Sequence, residues 1–265
     1  MKPLRFSFTL LLLCMMLSLI AKNPNEQAIV IRVLTFNIYH GETMNHDFDL
    51  DKIAKVINES GADFVALQEV DFKTNRAHNL DLVTELAWRC EVQGIFGKAM
   101  EYDGGEYGEG LLSKHSFLKT INHALPCSDG NEPRAALEAI IILPTGDTIS
   151  FIATHLDHLK EDTDRILQAI EINRIYTNTR YPSILAGDLN DTPNSKSINT
   201  LEHIWTASYH STETLATYPA TSPQEKIDYI MYQPAHQWRV LKSETICDTI
   251  ASDHCAYLVT LALIK

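Results

Sequence analysis

Apolar and polar positions follow two different periods along this chain, and the switches between them mark its elements. Ala28 to Asn37 is a run of apolar and β-branched residues ending in polar ones, and Phe64 to Val70 is another; both read as strands. Between them Leu50, Ile53, Ala54 and Ile57 share one helical face, with Asp49 placed to cap its start and Gly61 to stop it. Leu82, Val83, Leu86, Ala87 and Cys90 repeat the helical spacing. Arg134 to Leu143 and Thr148 to His155 flank Pro144-Thr145-Gly146-Asp147, the pattern of a hairpin. Ile166, Leu167 and Ile170 mark a helix leading to Ile175, Ser183 to Ala186 is a short buried strand, and Ile227 to Tyr232 and Cys255 to Ile264 are later strands. Hairpins mixed with helical crossovers predict mixed sheets covered by helices, a layered α/β sandwich.

The first segment departs from this pattern. Lys2 and Arg5 supply a basic start, and Phe8 to Ile20 is nearly all apolar, shorter than the roughly 20 residues of a membrane span. Residues 1–21 therefore read as an export signal, with a lipid anchor at Cys14 as the alternative, although Leu11-Leu12-Leu13 lacks the small residues of a lipid-attachment box. The expected location is periplasmic, cell-surface or extracellular. After about residue 25 no repeat, low-complexity tract or linker divides the chain, so residues 28–265 are expected to form one domain. Beyond the leader lie Cys90, Cys127, Cys247 and Cys255, which could pair in three ways in an oxidising compartment or remain buried thiols. The formal charge of −12, made more negative by loss of Lys2 and Arg5, argues against non-specific binding to a polyanion.

Polar residues stand at the ends of the strand-like runs: Asn37, Glu69, His155, Asp188 with Asn190, and Asp228. Groups at strand ends can converge on one edge of a sheet, where ligand sites of layered α/β proteins tend to lie. Taken singly each has a plain structural explanation; Gly187-Asp188-Leu189-Asn190 alone would be an Asx-type turn. The conjunction is harder to explain that way. Thr35-Phe36-Asn37, Gln68-Glu69, Thr154-His155, Gly187-Asp188-Leu189-Asn190, Asp228 and Ser252-Asp253-His254 follow one another in an order and spacing that resembles the endonuclease/exonuclease/phosphatase superfamily. The resemblance runs from about Arg32 to Leu263. It implies a four-layer α/β sandwich, with two mixed, mainly antiparallel sheets packed face to face and flanked by helices.

The resemblance also implies roles. Asn37, Glu69 and Asp253 would hold a metal, with a contribution from Asp188 and Asn190; oxygen donors of this kind suit Mg²⁺, with Mn²⁺ as a substitute. Asp188 would orient or deprotonate the attacking water, while Asn190 and His155 would hold phosphate oxygens. His254, oriented by Asp228, would stabilise or protonate the departing oxygen, and Arg134 sits where relatives carry a phosphate-side arginine. His155 and His158, three apart, raise a zinc alternative that lacks a third nitrogen or sulfur ligand. Gly187-Asp188-Leu189-Asn190-Asp191 also fits the Gly-Asp-x-x-Asp element of calcineurin-like phosphatases, but the companion motifs are missing. Glu109 stands where many members of the resembled superfamily have Asn, and Tyr102 to Tyr107 is expected to be a flexible aromatic loop on the cleft rim.

The expected activity is Mg²⁺-dependent hydrolysis of a phosphate ester, with a lipid or sugar headgroup favoured over nucleic acid. The Asn37-Ile38-Tyr39-His40-Gly41 start and the glycine-rich loop at 104–108 look most like the bacterial secreted branch, which itself resembles a domain of glycosylphosphatidylinositol-remodelling proteins. The alternatives are a secreted nuclease and a non-catalytic binding module on the same fold. No obligate protein partner is implied.

Overall fold

A computed structural model describes residues 28–209 and 215–264. The leader expected over residues 1–21 lies outside them. Two six-stranded sheets face each other. One runs in the order β11 (Trp238–Ile246), β12 (Ala256–Leu263), β1 (Ile29–Asn37), β2 (Phe64–Phe72), β4 (Gly105–Ser113), β3 (Gln93–Tyr102). The other runs β5 (Phe117–Ala124), β6 (Ala135–Ile142), β7 (Thr148–His155), β8 (Ser183–Asp188), β10 (Asp228–Gln233), β9 (Thr206–Ala207). Neighbours are antiparallel except β1 with β2 and β7 with β8. Each parallel step is crossed by a helix, α1 (Leu50–Ser60) and α3 (Thr163–Tyr176) respectively.

The alternation seen in the sequence builds the layers. Val33, Phe64, Ala66 and Leu111 of the first sheet meet Leu137, Phe151, Ala153 and Ile184 of the second in a central core. The opposite faces carry Leu34, Val65 and Leu67 against α1 and α2 (Leu82–Arg89), and Ile152, Leu185 and Tyr229 against α3 and α4 (Lys196–Leu201). This is the expected four-layer sandwich. Helix α1 starts and stops where its end residues require: Asp49 accepts from the Asp51 N–H, and Gly61 takes the left-handed conformation at φ 64°.

Two expectations need correcting. Helix α3 exists, but Leu167 and Ile170 lie on its exposed side; its buried face is Asp164, Arg165, Gln168, Ala169, Ile172 and Tyr176. Backbone groups that need partners roll it that way. Arg165 Nη1 donates to the carbonyls of Asp157 and Leu159 and its Nε to Asp191, while Gln168 accepts from the Asp157 N–H and donates to the Pro126 carbonyl. Those bonds anchor the loops that follow His155 and Asp188, and leaving such groups unpaired costs more than exposing two aliphatic side chains. The second concerns the form of Tyr102 to Tyr107, whose tyrosines do line the cleft as expected. The segment is a tight hairpin joining β3 to β4, turned by Asp103 and Gly104 with φ 43° and 82°.

Candidate active site

The site forms where the carboxyl ends of the two parallel pairs meet. In the second sheet His155, Asp188 and Asp228 occupy one row, paired across β7, β8 and β10. Gly187 makes this possible, because a Cβ there would lie 2.0 Å from the Thr154 carbonyl oxygen. In the first sheet Asn37 ends β1 beside Gln68, and β2 bulges between Leu67 and Val70. Glu69 sits in that bulge at φ 58°, a conformation that costs a non-glycine residue about 1–3 kcal/mol. The bulge aims its carboxylate into a cavity of about 500 Å³ also lined by Arg134, His155, Asp188, Asn190, Asp253 and His254.

Asn37 joins the two sheets. Its Nδ2 donates to Glu69 Oε1 at 3.1 Å and to Asp188 Oδ2 at 3.2 Å, and its Oδ1 accepts from the Tyr39 N–H at 3.1 Å. The side chain expected to give a metal an oxygen is thus seen as a clamp that spaces two carboxylates. His254 Nδ1 donates to Asp228 Oδ2 at 3.0 Å, and its Nε2 lies 3.7 Å from Asp188 Oδ2. Ser252 sets the approach of this loop: its hydroxyl donates to the Asn37 carbonyl and accepts from the His254 N–H.

Across the cavity, Arg134 Nη1 donates to His155 Nδ1 at 3.1 Å, while its Nη2 donates to Glu132 at 2.8 Å and contacts His158 Nδ1 at 3.0 Å. A guanidinium held between His155 and His158 removes them as a zinc pair. Asn190, at φ 51°, brings its amide to His155 Nε2 at 2.8 Å and donates to the Leu156 carbonyl. Glu109 does not line this cavity. It is fully buried with both carboxylate oxygens unpartnered, and burial pushes its pKa well above the usual range, so it is carried as the neutral acid.

Charge is arranged unevenly. Burial works against ionised Glu69, but contacts from His40 and Asn37 help hold it down at about 2. Burial and neighbouring Asp228 push Asp188 up to about 7, against the pull of His254. Burial would discharge His254, yet Asp228 and Asp188 outweigh it and raise the imidazole to about 10. Burial and then Arg134 hold His155 well below the ordinary imidazole range, so it is neutral. Ligand atoms of Asp188, Asp228 and His254 all lie within 4.8 Å of one another, and Asp228 Oδ1 is buried without a hydrogen-bond partner. One positive His254 faces Asp228, Asp188, Glu69 and Asp253, and such an excess of hard oxygen donors suits a divalent cation.

Several lining residues were not foreseen: His40, whose Nδ1 lies 3.6 Å from Glu69 Oε2, Tyr218, tilted against the His254 ring at 4.8 Å, and Arg76, Met100 and Glu225. Neither Arg76 nor Tyr218 had a readable signal in the sequence. The cysteine ambiguity is resolved too. Cys247 and Cys255 are disulfide-bonded, and Cys90 and Cys127 are free. The bridge closes the loop that carries Asp253 and His254. Cys247→Ser should therefore lower stability by about 2.5 kcal/mol on loop entropy alone, measured by urea unfolding, and should lower kcat as the loop loosens. Unchanged kcat in the variant would show that the loop is positioned by Ser252 and β12 without the bridge.

This fold has counterparts. Among solved structures, a family protein from Bacteroides vulgatus superposes with a TM-score of 0.71 at 24% identity, covering 89% of this chain and 99% of that one. A mannosyl-6-phosphatase from Bacteroides thetaiotaomicron gives 0.67 at 17% identity, with coverage of 87% and 99%. The catalytic domain of human Nocturnin gives 0.66 at 18%, with coverage of 89% and 98%. At these identities the likeness establishes the fold. A family model goes further, matching residues 34–254, a span that contains every site residue from Asn37 to His254. On that match the chain belongs to the Endonuclease/Exonuclease/phosphatase family and is a phosphoester hydrolase.

Proposed function

We propose that this chain hydrolyses a phosphate ester of a sugar or lipid headgroup with Mg²⁺ as its cation, after export from the cytoplasm. The observation that carries the reading is the meeting of Asp188 and His254, backed by buried Asp228 with ligand atoms of all three within 4.8 Å, in the cavity that Glu69, Asp253, Arg134 and Asn190 also line. Glu69 and Asp253, with Asp188 beside them, would hold the cation, and Asn37 keeps Glu69 and Asp188 apart. When bound, the cation would neutralise phosphate oxygens and make water more acidic.

The chain's own groups do the rest. Asp188 accepts a proton from, and orients, the attacking water, held in place by the Asn190 N–H on Oδ1 at 2.9 Å. His155 faces N–H groups at both ring nitrogens, and a neutral imidazole accepts at only one. One of Arg134 and Asn190 is therefore free to turn to a phosphate oxygen. His254, charged and oriented by Asp228, stabilises the departing oxygen or gives it a proton.

A nuclease reading is less favoured, because a polyanion must be met by several unpaired cations. The cavity is lined by Glu69, Glu132, Asp188, Glu225 and Asp253, while its two arginines already pair with carboxylates, Arg134 with Glu132 and Arg76 with Asp71. The neighbour named as a mannosyl-6-phosphatase supports the sugar-phosphate side. Export is favoured by the leader pattern and by the disulfide, which suits an oxidising compartment.

A panel with and without Mg²⁺ tests this: hexose phosphates, inositol phosphates, phosphatidylinositol, sphingomyelin, plasmid DNA, RNA and an aryl phosphodiester. Hydrolysis of a sugar or headgroup ester well above nucleic acid is expected. DNA or RNA as the best substrate would overturn the substrate class, and no turnover of any ester would favour a binding module.

A further inference from the structure

One wall of the cavity has no part in the chemistry above. Arg76 Nε and Nη2 donate to Asp71 Oδ2 and Oδ1 at 2.6 and 2.8 Å, a two-pronged pair with a carboxylate that is fully buried and also accepts from Thr74. The guanidinium lies against two rings, 4.5 Å from the Tyr102 centroid and 5.7 Å from that of Tyr107. Backbone bonds fix this assembly from both sides. The N–H groups of Asn75 and Arg76 donate to the carbonyl and the Oδ2 of Asp103, at the tip of the β3–β4 hairpin. Arg76, Tyr102, Tyr107 and Met100 all line the cavity that holds Glu69 and Arg134.

The chemistry of that wall is specific. Asp71 neutralises Arg76, so the pair offers little attraction to a second phosphate, and Glu132 on the same cavity would repel one. What remains available is the Nη1 edge, which has no hydrogen-bond partner among the described residues, together with the exposed Tyr102 side chain and the Met100 side chain, while buried Tyr107, which bonds to Arg134, backs the wall. Preorganised N–H donors beside apolar faces match the hydroxyls and C–H faces of an uncharged ring. Resting on the phosphoesterase reading above, we propose that Arg76, Tyr102, Tyr107 and Met100 form a subsite for an uncharged polyol ring, of the size of a hexose, esterified to the phosphate. The subsite selects the alcohol side of the substrate and takes no part in bond breaking.

Binding and turnover test the two readings separately. Tyr102→Ala alters an exposed hairpin tip, and the paired change Asp71→Asn with Arg76→Gln removes the guanidinium without stranding a buried carboxylate. In an Asp188→Asn background with Mg²⁺, where chemistry is slowed, calorimetry compares hexose 6-phosphate with inorganic phosphate. Each subsite change should weaken hexose 6-phosphate by roughly tenfold, the loss of one good contact, and leave inorganic phosphate within about twofold. Equal weakening of both ligands, no weakening of either, or failure of hexose 6-phosphate to bind more tightly than phosphate would overturn the subsite. A hexose bisphosphate that binds more tightly still and depends on Arg76 would also overturn it, as a second phosphate site. If the subsite behaves as expected but the native Asp188 protein turns over no sugar phosphate with Mg²⁺, the subsite stands and the hydrolytic reading fails.

Discussion

Replacing His254 with Ala should lower kcat by about 10²–10⁴-fold, the usual worth of acid–base help, with a much smaller change in KM. The ring sits between Asp228 and Asp188, which raise its pKa to about 10, so it is charged where charge builds on the departing oxygen. An interaction that strengthens only in the transition state is lost from kcat. Asp228→Asn should lose less, because an amide can still accept the Nδ1 hydrogen bond while the charge that holds the proton is gone. Steady-state kinetics on the best substrate, with thermal unfolding of both variants beside it, separates this from a folding defect. Near-normal kcat in His254→Ala would make the Asp253-His254 pair structural, and Asp188 would then act without its partner.

Excess chelator should abolish activity, with Mg²⁺ or Mn²⁺ restoring it, because Glu69, Asp188 and Asp253 offer hard oxygen donors. Restoration by Zn²⁺ alone would contradict the assignment, as would full activity in EDTA. The same buried charge sets a pH dependence of stability in the chelated protein. The folded pKa of Asp188 is raised to about 7 from an ordinary 3.8, so its contribution is fully present below pH 3.8 and is lost as pH rises through 7. His254, raised to about 10 from 6.5, contributes fully below pH 6.5 and loses this only as pH rises through 10. Between pH 5 and 7.5 the Asp188 loss therefore dominates. A cation takes over the role of the departing proton, so Mg²⁺ should raise the thermal midpoint more at pH 7.5 than at pH 5. An equal shift at both values would show that the cation does not contact Asp188.

The sequence by itself determined the inner architecture and the chemistry at its strand ends. Strands buried on both faces, such as β1, β2, β7 and β8, read as largely apolar runs, and the polar residues of the site stand where such a run ends or, for Glu69, where β2 bulges. That is why Asn37, Glu69, His155, Asp188 and Asp228 were legible before any coordinates. The edges were not. Strands β3, β5, β9 and β11 went unassigned, and each lies at the margin of a sheet, where one side meets solvent and the apolar period fades.

Only the tertiary structure decided the facing of α3, because loop carbonyls that accept from Arg165 and a loop N–H that meets Gln168 join Ala169, Ile172 and Tyr176 on its buried side, at the expense of Leu167 and Ile170. The same holds for Asn37, whose oxygen and nitrogen are equally available in sequence and are assigned by the two carboxylates that the sheets bring to its amide. Pairing of Cys247 with Cys255 depended on β12 and the preceding loop, since four cysteines permit three connectivities at no difference in sequence. Arg76 stands seven residues after Glu69, yet reaches the cavity wall through Asp71 and the β3–β4 hairpin. Contacts between residues far apart in the chain carry no period, and so leave no pattern along it.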